Sequence, residues 1–196
     1  MASIEIQEVG PDLLSRYAAI PIRFKVESVL RVQAADQGVG GLALVEEKIE
    51  SPYVKDYDSQ GPEAGPLHWS RYFDVSRWQF FLAMAGERPR GGATLAMNTP
   101  GLNMLENRPD LAVLWDIRVH PDARGRGIGS RLFRRAADRA RQLGYRQLKI
   151  ETQNVNVPAC RFYAAQGCTL GVIHRYAYAA YPNVAHEAMP LWYLEL

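Results

Sequence analysis

Two cysteines among 196 residues are too few for a disulfide framework, and the spacing of Cys160 and Cys168 is neither a C-x-x-C redox pair nor half of a zinc site. Reduced thiols are the expectation. Long apolar runs are missing as well: no stretch approaches membrane-spanning length, and the first ten residues hold Glu5 and Glu8 where a secretory leader would place a basic segment and then an apolar one. The expected location is the cytoplasm, with no membrane partner. Nor is there a large excess of one charge. The formal net charge of +2 is too small to imply a nucleic-acid partner by itself. His68, His120, His174 and His186 share no metal-ligand spacing, so no metal is expected. No internal repeat and no low-complexity tract is visible. What remains is ordinary globular usage, 47% hydrophobic and 22% charged, in a chain of a length that suits one compact domain spanning residues 1–196.

Periodicity places the first elements. Ile4, Ile6 and Val9 suggest a half-buried strand, and a helix is expected from Pro11 with Leu13, Leu14 and Tyr17 on one face and Pro21 as its limit. Segment 22–38 reads as a second, weaker helical candidate and 39–50 as a glycine-led strand. Segment 51–70 is rich in Pro, Gly, Asp and Ser and reads as a long surface loop. Segments 77–85 and 91–97 read as two strands joined through Gly86-Glu87-Arg88-Pro89-Arg90, and 98–110 as another loop. The run Leu111–Val119 is too apolar for a sheet edge and is expected at the centre. Of the aromatics, Trp69, Tyr72, Trp78, Trp115, Tyr176, Tyr178 and Trp192 are expected mostly in the core, with some available to an acceptor pocket.

The most informative stretch follows that central strand: His120-Pro121-Asp122-Ala123-Arg124-Gly125-Arg126-Gly127-Ile128-Gly129-Ser130, leading into an amphipathic run with Leu132, Ala136, Ala140 and Leu143. Glycines at 125, 127 and 129 permit tight or left-handed backbone and let a ligand approach main-chain amides unobstructed. Because the loop opens a helix, its N–H groups and the positive end of the dipole suit phosphate or pyrophosphate. Arg124 and Arg126 add charge. A Walker loop is excluded because Gly129 is followed by Ser130 and Arg131 where that motif needs Gly-Lys-Ser/Thr. A Rossmann turn fits better, with Glu151 at about the ~20-residue distance of its ribose-binding acid, yet five residues separate Val119 from Gly125 and Ser130 stands where a third glycine belongs.

A second constellation lies at 151–167. Asn156 is placed to cap a helix whose first turn accepts Pro158, and Gly167 is placed to end it. Tyr163 falls about two turns beyond Asn156 on the same face, so an amide and a phenol line up along one stripe. Together, Arg124-x-x-Gly127-x-Gly129 and Asn156-x-x-Ala159-x-x-x-Tyr163-x-x-x-Gly167 resemble the GNAT N-acetyltransferase superfamily, over residues 77–176. Cys168 departs from the pattern, which usually has an aromatic there. The segment Leu114–Val119, the run Glu151–Tyr163 and the ending Leu191-Trp192-Tyr193 further resemble streptothricin acetyltransferases, which acetylate the β-lysine amine of a cationic antibiotic.

The resemblance implies an α/β (α+β) GNAT fold: a mixed, mostly antiparallel central sheet, splayed between two central parallel strands and flanked by about four helices. It also implies acetyl-CoA as cosubstrate, no metal, and a small-molecule primary amine as acceptor, in a monomer or homodimer. Cofactor-binding positions carried over are the backbones of Ile117, Arg118 and Val119 for the pantetheine arm, Arg124, Gly125, Arg126, Gly127, Ile128, Gly129 and Ser130 for the pyrophosphate, and Asn156, Ala159 and Tyr163 beyond them. An N–H near Ile117 would stabilise the oxyanion, and Tyr163 would protonate the leaving thiolate. For the general base, Asp116 and Glu151 are the candidates. Either carboxylate has structural or acceptor-attracting alternatives, just as Tyr163 has a core role and Asn156 a capping role as alternatives. The arginines 131, 134, 135, 139, 141 and 146 read as a solvated helix face, not a nucleic-acid groove. Protein acetylation and non-catalytic CoA binding are the competing functions, and the presence of Tyr163 favours catalysis.

Overall fold

The computed structural model describes residues 3–59 and 65–196. In chain order its elements are β1 (Ile4–Val9), α1 (Leu14–Ala18), β2 (Phe24–Ala34), β3 (Leu42–Lys55), α2 (Trp69–Tyr72), β4 (Gln79–Ala85), β5 (Arg88–Ala96), β6 (Leu111–Val119), α3 (Ile128–Gln142), β7 (Gln147–Glu151), α4 (Val157–Ala165), β8 (Thr169–His174) and β9 (Met189–Glu195). This is the GNAT fold: four helices with a mixed, mostly antiparallel sheet in which β6 and β7 are the parallel pair. Backbone contacts divide the chain into two compact units: Met1–Arg23 with Asp56–Lys149 and Glu195–Leu196, and Phe24–Lys55 with Ile150–Leu194.

In the first unit the strands run in the order β1-β4-β5-β6-β7, with β1/β4, β4/β5 and β5/β6 antiparallel. The 3-10 turn Pro11–Leu13 precedes α1, which ends at Ala18 before Pro21, as the sequence suggested. The turn between β4 and β5 is tighter than expected, because Ala85 pairs with Arg88 and only Gly86 and Glu87 lie between them. One core groups Leu14, Tyr17, Ile20, Trp69, Trp78, Phe80, Leu82 and Val113, with Trp115 packed against it. The helix α3 buries Ile128, Leu132, Phe133, Ala136, Ala137 and Ala140 and turns its arginines outward. Those arginines are partnered locally: Arg131 donates to the Ile4 carbonyl, and Arg135 and Arg139 pair with Glu8. A Cβ at Gly91 would lie 2.9 Å from Leu132, so glycine there admits the close approach of α3 to β5.

The second unit holds the end of β7, then β9 and β8, and the two-stranded antiparallel ribbon β2–β3. The helical reading of 22–38 is overturned: residues 24–34 form β2. The reason is visible in the register. Pairing breaks between Val26 and Ser28, and this irregularity rephases the strand so that Val26 and Val29, three residues apart, are both buried with Val155. A spacing of three imitates a helical stripe. The long-loop reading of 51–70 is corrected as well. Residues 51–55 belong to β3, where Pro52 falls in the same irregularity, 66–68 form a 3-10 turn and 69–72 form α2, while 60–64 lie outside the described residues. Tyr72 and Tyr176, expected in the core, are 47% and 69% exposed.

Candidate active site

The central strand β6 changes character along its length. Leu111–Leu114 are buried, Trp115, Asp116 and Ile117 are half-buried, and the register against β5 slips between Leu114 and Asp116, leaving Trp115 as an extra residue. A bulge of this kind re-aims the residues after it. Beyond it, Arg118 turns its guanidinium into the unit, where the side chain is 1% exposed. It donates to Asp116 from Nε (2.9 Å) and Nη2 (2.6 Å), to Asp58 from Nη1 (2.8 Å) and Nη2 (3.1 Å), and to the Ile20 carbonyl from Nη1 (3.1 Å). Every nitrogen is used. The guanidinium also lies 5.3 Å from the Tyr17 ring centroid, and the Tyr17 hydroxyl donates to Asp116 Oδ1 at 2.7 Å. Gly92, opposite Arg118 in the register, makes room for that ring, since a Cβ there would lie 2.4 Å from it.

The charges follow from this packing. Burial by itself would lower the Arg118 guanidinium, but Asp116, Tyr17 and Asp58 together more than offset it and hold the group above its usual range. Burial, and then the negative charge of Asp116, push the Tyr17 phenol well above its ordinary value, so it stays a donor. Both oxygens of Asp116 therefore accept hydrogen bonds, an arrangement suited to fixing the strand.

Past β6, the 3-10 turn Pro121–Ala123 leads into the glycine loop. Gly125 and Gly127 adopt φ of 72° and 74°, the left-handed region, and a Cβ at either would meet nothing within 4 Å. Glycine is needed there for backbone geometry, not for packing room. Gly127 is the N-cap of α3 and no side chain caps that end. Gly125, Arg126 and Gly127 are exposed, and Gly129 and Ser130 half-buried, while Ile128 anchors the turn in the core. The Arg124 side chain is engaged elsewhere: Nε donates to the Val119 carbonyl at 3.1 Å and Nη2 to the Arg23 carbonyl at 2.8 Å. Its partial burial lowers the guanidinium from its usual value. Arg124 thus splints the loop to the strand before it, while Arg126 stays exposed.

In the second unit, α4 starts as the sequence indicated. Asn156 is its N-cap, the side-chain oxygen accepting the Ala159 N–H at 3.2 Å, and Pro158 occupies the first turn. Gly167, at φ 87°, follows its last turn. Tyr163 is 5% exposed, its ring 5.3 Å from that of Phe162. Glu151, the last residue of β7, is half-buried and accepts a 2.6 Å hydrogen bond from the Tyr178 hydroxyl, which itself accepts from Gln153 Nε2 at 3.0 Å. Cys160 and Cys168 are both free and buried; burial raises the thiol of Cys160 and pushes that of Cys168 up to about 11, so both are poor nucleophiles. Among the described residues, no group of three or more His, Cys, Asp or Glu is arranged to hold a metal ion, and no helix is long and apolar enough to cross a membrane.

Several residues of these networks escaped the sequence reading. Asp58 lies in a turn-rich segment with no periodic signal, and Tyr17 read only as the apolar face of a helix. Tyr178 reads in the sequence as one of the mostly core aromatics, and Gln153 only as part of the run Glu151–Tyr163, with no sign that the two meet. Lys55 and Glu187, a buried ion pair 132 positions apart in sequence, carried no signal.

A family model described as "Acetyltransferase (GNAT) family" matches residues 43–168. Streptothricin acetyltransferase A of Bacillus subtilis is 27% identical over 162 residues, 83% of each chain. A streptothricin acetyltransferase of Escherichia coli is 38% identical over 84 residues, 43% of this chain and 48% of that one. The crystal structure of a Bacillus anthracis protein in complex with acetyl coenzyme A superposes with a TM-score of 0.76 over 100% of this chain and 98% of that one, at 24% identity, and so attests the shared fold. With the family model spanning well over half of the residues, the two glycine-led and asparagine-led motifs have their explanation: the chain belongs to the acetyltransferase (GNAT) family, and is an acetyl-CoA-dependent N-acetyltransferase.

Proposed function

We propose that this enzyme acetylates the primary amine of a small cationic molecule of the streptothricin type, by direct attack of the neutral amine on the thioester in a ternary complex. The observation that carries the acceptor assignment is the similarity to streptothricin acetyltransferase A over 83% of both chains, which extends beyond the two cofactor motifs. The two units are read as parts of one catalytic domain.

In this reading each residue has a task. Main-chain amides of 124–130 hold the pyrophosphate, which the left-handed glycines and the uncapped start of α3 support. The backbones of Ile117, Arg118 and Val119 pair with the pantetheine arm as an added strand, and an N–H near Ile117 faces the developing oxyanion. Asn156 and Ala159 line the arm, and Tyr163 donates the proton that the departing thiolate takes up. The two candidate bases part here. Asp116, with both oxygens engaged by Arg118 and Tyr17, is assigned the positioning of β6. Glu151 is assigned the removal of the ammonium proton, a task suited to a half-buried carboxylate at the end of β7.

The test is an acceptor panel. The purified enzyme, given acetyl-CoA and in turn streptothricin, spermidine, kanamycin or a basic peptide, is expected to release free thiol fastest with streptothricin. Turnover confined to the peptide would overturn the reading.

A further inference from the structure

Tyr178 lies in the segment 175–188 that joins β8 to β9, and its hydroxyl reaches Glu151 at the end of β7. A phenol carries one proton. With Gln153 Nε2 donating to the phenolic oxygen, that proton is turned towards the carboxylate, giving a directed relay of two hydrogen bonds, 3.0 Å from Gln153 to Tyr178 and 2.6 Å from Tyr178 to Glu151. Tyr178, Glu151 and Gln153 are all half-buried, where a hydrogen bond to a charged oxygen is stronger than in open water.

The segment that carries Tyr178 is itself tied down at its far end. Glu187 is buried against Lys55, the Ala188 N–H donates to Asn154 Oδ1 at 2.8 Å, and the Asn154 N–H donates to the Ala188 carbonyl at 3.0 Å. The far end of the segment is thus anchored by contacts that do not involve Tyr178. We infer that Tyr178 is a positioning residue for acetyl transfer: its hydroxyl, oriented by Gln153, holds the Glu151 carboxylate in the one rotamer that meets the acceptor ammonium. The inference rests on the assignment of Glu151 as the base. A glutamate has three side-chain torsions, and an error of about 1 Å in the placement of a reacting group costs on the order of a hundredfold in rate.

The test is a double-mutant cycle in the full-length enzyme, with acetyl-CoA and the amine of the panel above that turns over fastest. Tyr178→Phe is expected to lower kcat about tenfold and to leave KM for acetyl-CoA within about twofold. Glu151→Gln is expected to lose more, and the double variant to be no worse than Glu151→Gln alone, because a residue that acts through another has nothing left to act on. Gln153→Leu, which removes only the amide that orients the phenol, is expected to give a smaller loss in kcat with the same unchanged KM. Additive losses, or full activity in Tyr178→Phe while Glu151→Gln is impaired, overturn the role of Tyr178 and leave the base assignment standing. Full activity in Glu151→Gln overturns the base assignment and this inference with it, and an absence of turnover with every amine overturns both. Thermal melts of each variant identify a loss that comes from unfolding. Should Tyr178→Phe fail to fold, the Gln153→Leu and Glu151→Gln pair completes the cycle by the same criterion.

Discussion

The helices α3 and α4 begin in opposite ways. At α4 the chain satisfies itself: the Asn156 oxygen accepts the Ala159 N–H, and Pro158 removes a donor that would otherwise need a partner. At α3 the N-cap is Gly127 in a left-handed conformation, with no side-chain cap, and the nearby Arg124 guanidinium is turned back onto the carbonyls of Val119 and Arg23. One start is closed and the other is open. The lesson is that an open helix start is informative only when the chain had the means to close it and did not. In the proposed mechanism the closed helix contributes further along, through the phenol of Tyr163.

Four substitutions would break or sharpen this contrast. The largest effect is expected from Arg118→Met, which tests whether the open loop depends on the strand before it. Removing the guanidinium leaves Asp116, whose side chain is 8% exposed, without its cationic partner, and urea unfolding should show a loss of about 3–5 kcal/mol; a loss below about 1 kcal/mol would mean that the network is dispensable. Next is Tyr163→Phe. If α4 serves chemistry and not binding, kcat should fall by about a hundredfold or more with little change in KM for acetyl-CoA, and equal turnover in the two proteins would remove Tyr163 from the mechanism. Gly127→Val should show the converse. A β-branched residue at φ 74° is strained by roughly 1–2 kcal/mol, so KM for acetyl-CoA should rise about tenfold while kcat is largely kept. The smallest effect belongs to Asn156→Ala, which should cost about 1 kcal/mol and lower Tm by roughly 2–4 °C. A rise in acetyl-CoA KM beyond that stability effect would give Asn156 a ligand contact in addition to its cap.

How much of this was legible depends on how far apart the interacting residues lie in the sequence. The glycine loop, the Asn156 cap, the central strand 111–119 and the helix that buries Leu132 and Ala136 all follow from patterns within about fifteen residues, where local geometry decides. The strand β2 was not legible. Its buried valines at 26 and 29 owe their spacing to an irregularity in the pairing with β3, and pairing is a property of two segments, not one. The candidate base illustrates the same limit. Asp116 and Glu151 were equivalent on the page, two acids at the ends of neighbouring strands in the motif. In the folded chain Arg118 and Tyr17 converge on Asp116, and the Tyr178 hydroxyl donates to Glu151.

The amino-acid sequence alone determined the family motifs, the left-handed glycines 125 and 127 and the start and end of α4, since each is settled by the conformational preferences of adjacent residues. Tertiary structure decided the company of the charges. A guanidinium at 118 meets a carboxylate at 58 and a phenol at 178 meets a carboxylate at 151 only because the folded strands bring their surroundings together, and burial then strengthens those hydrogen bonds.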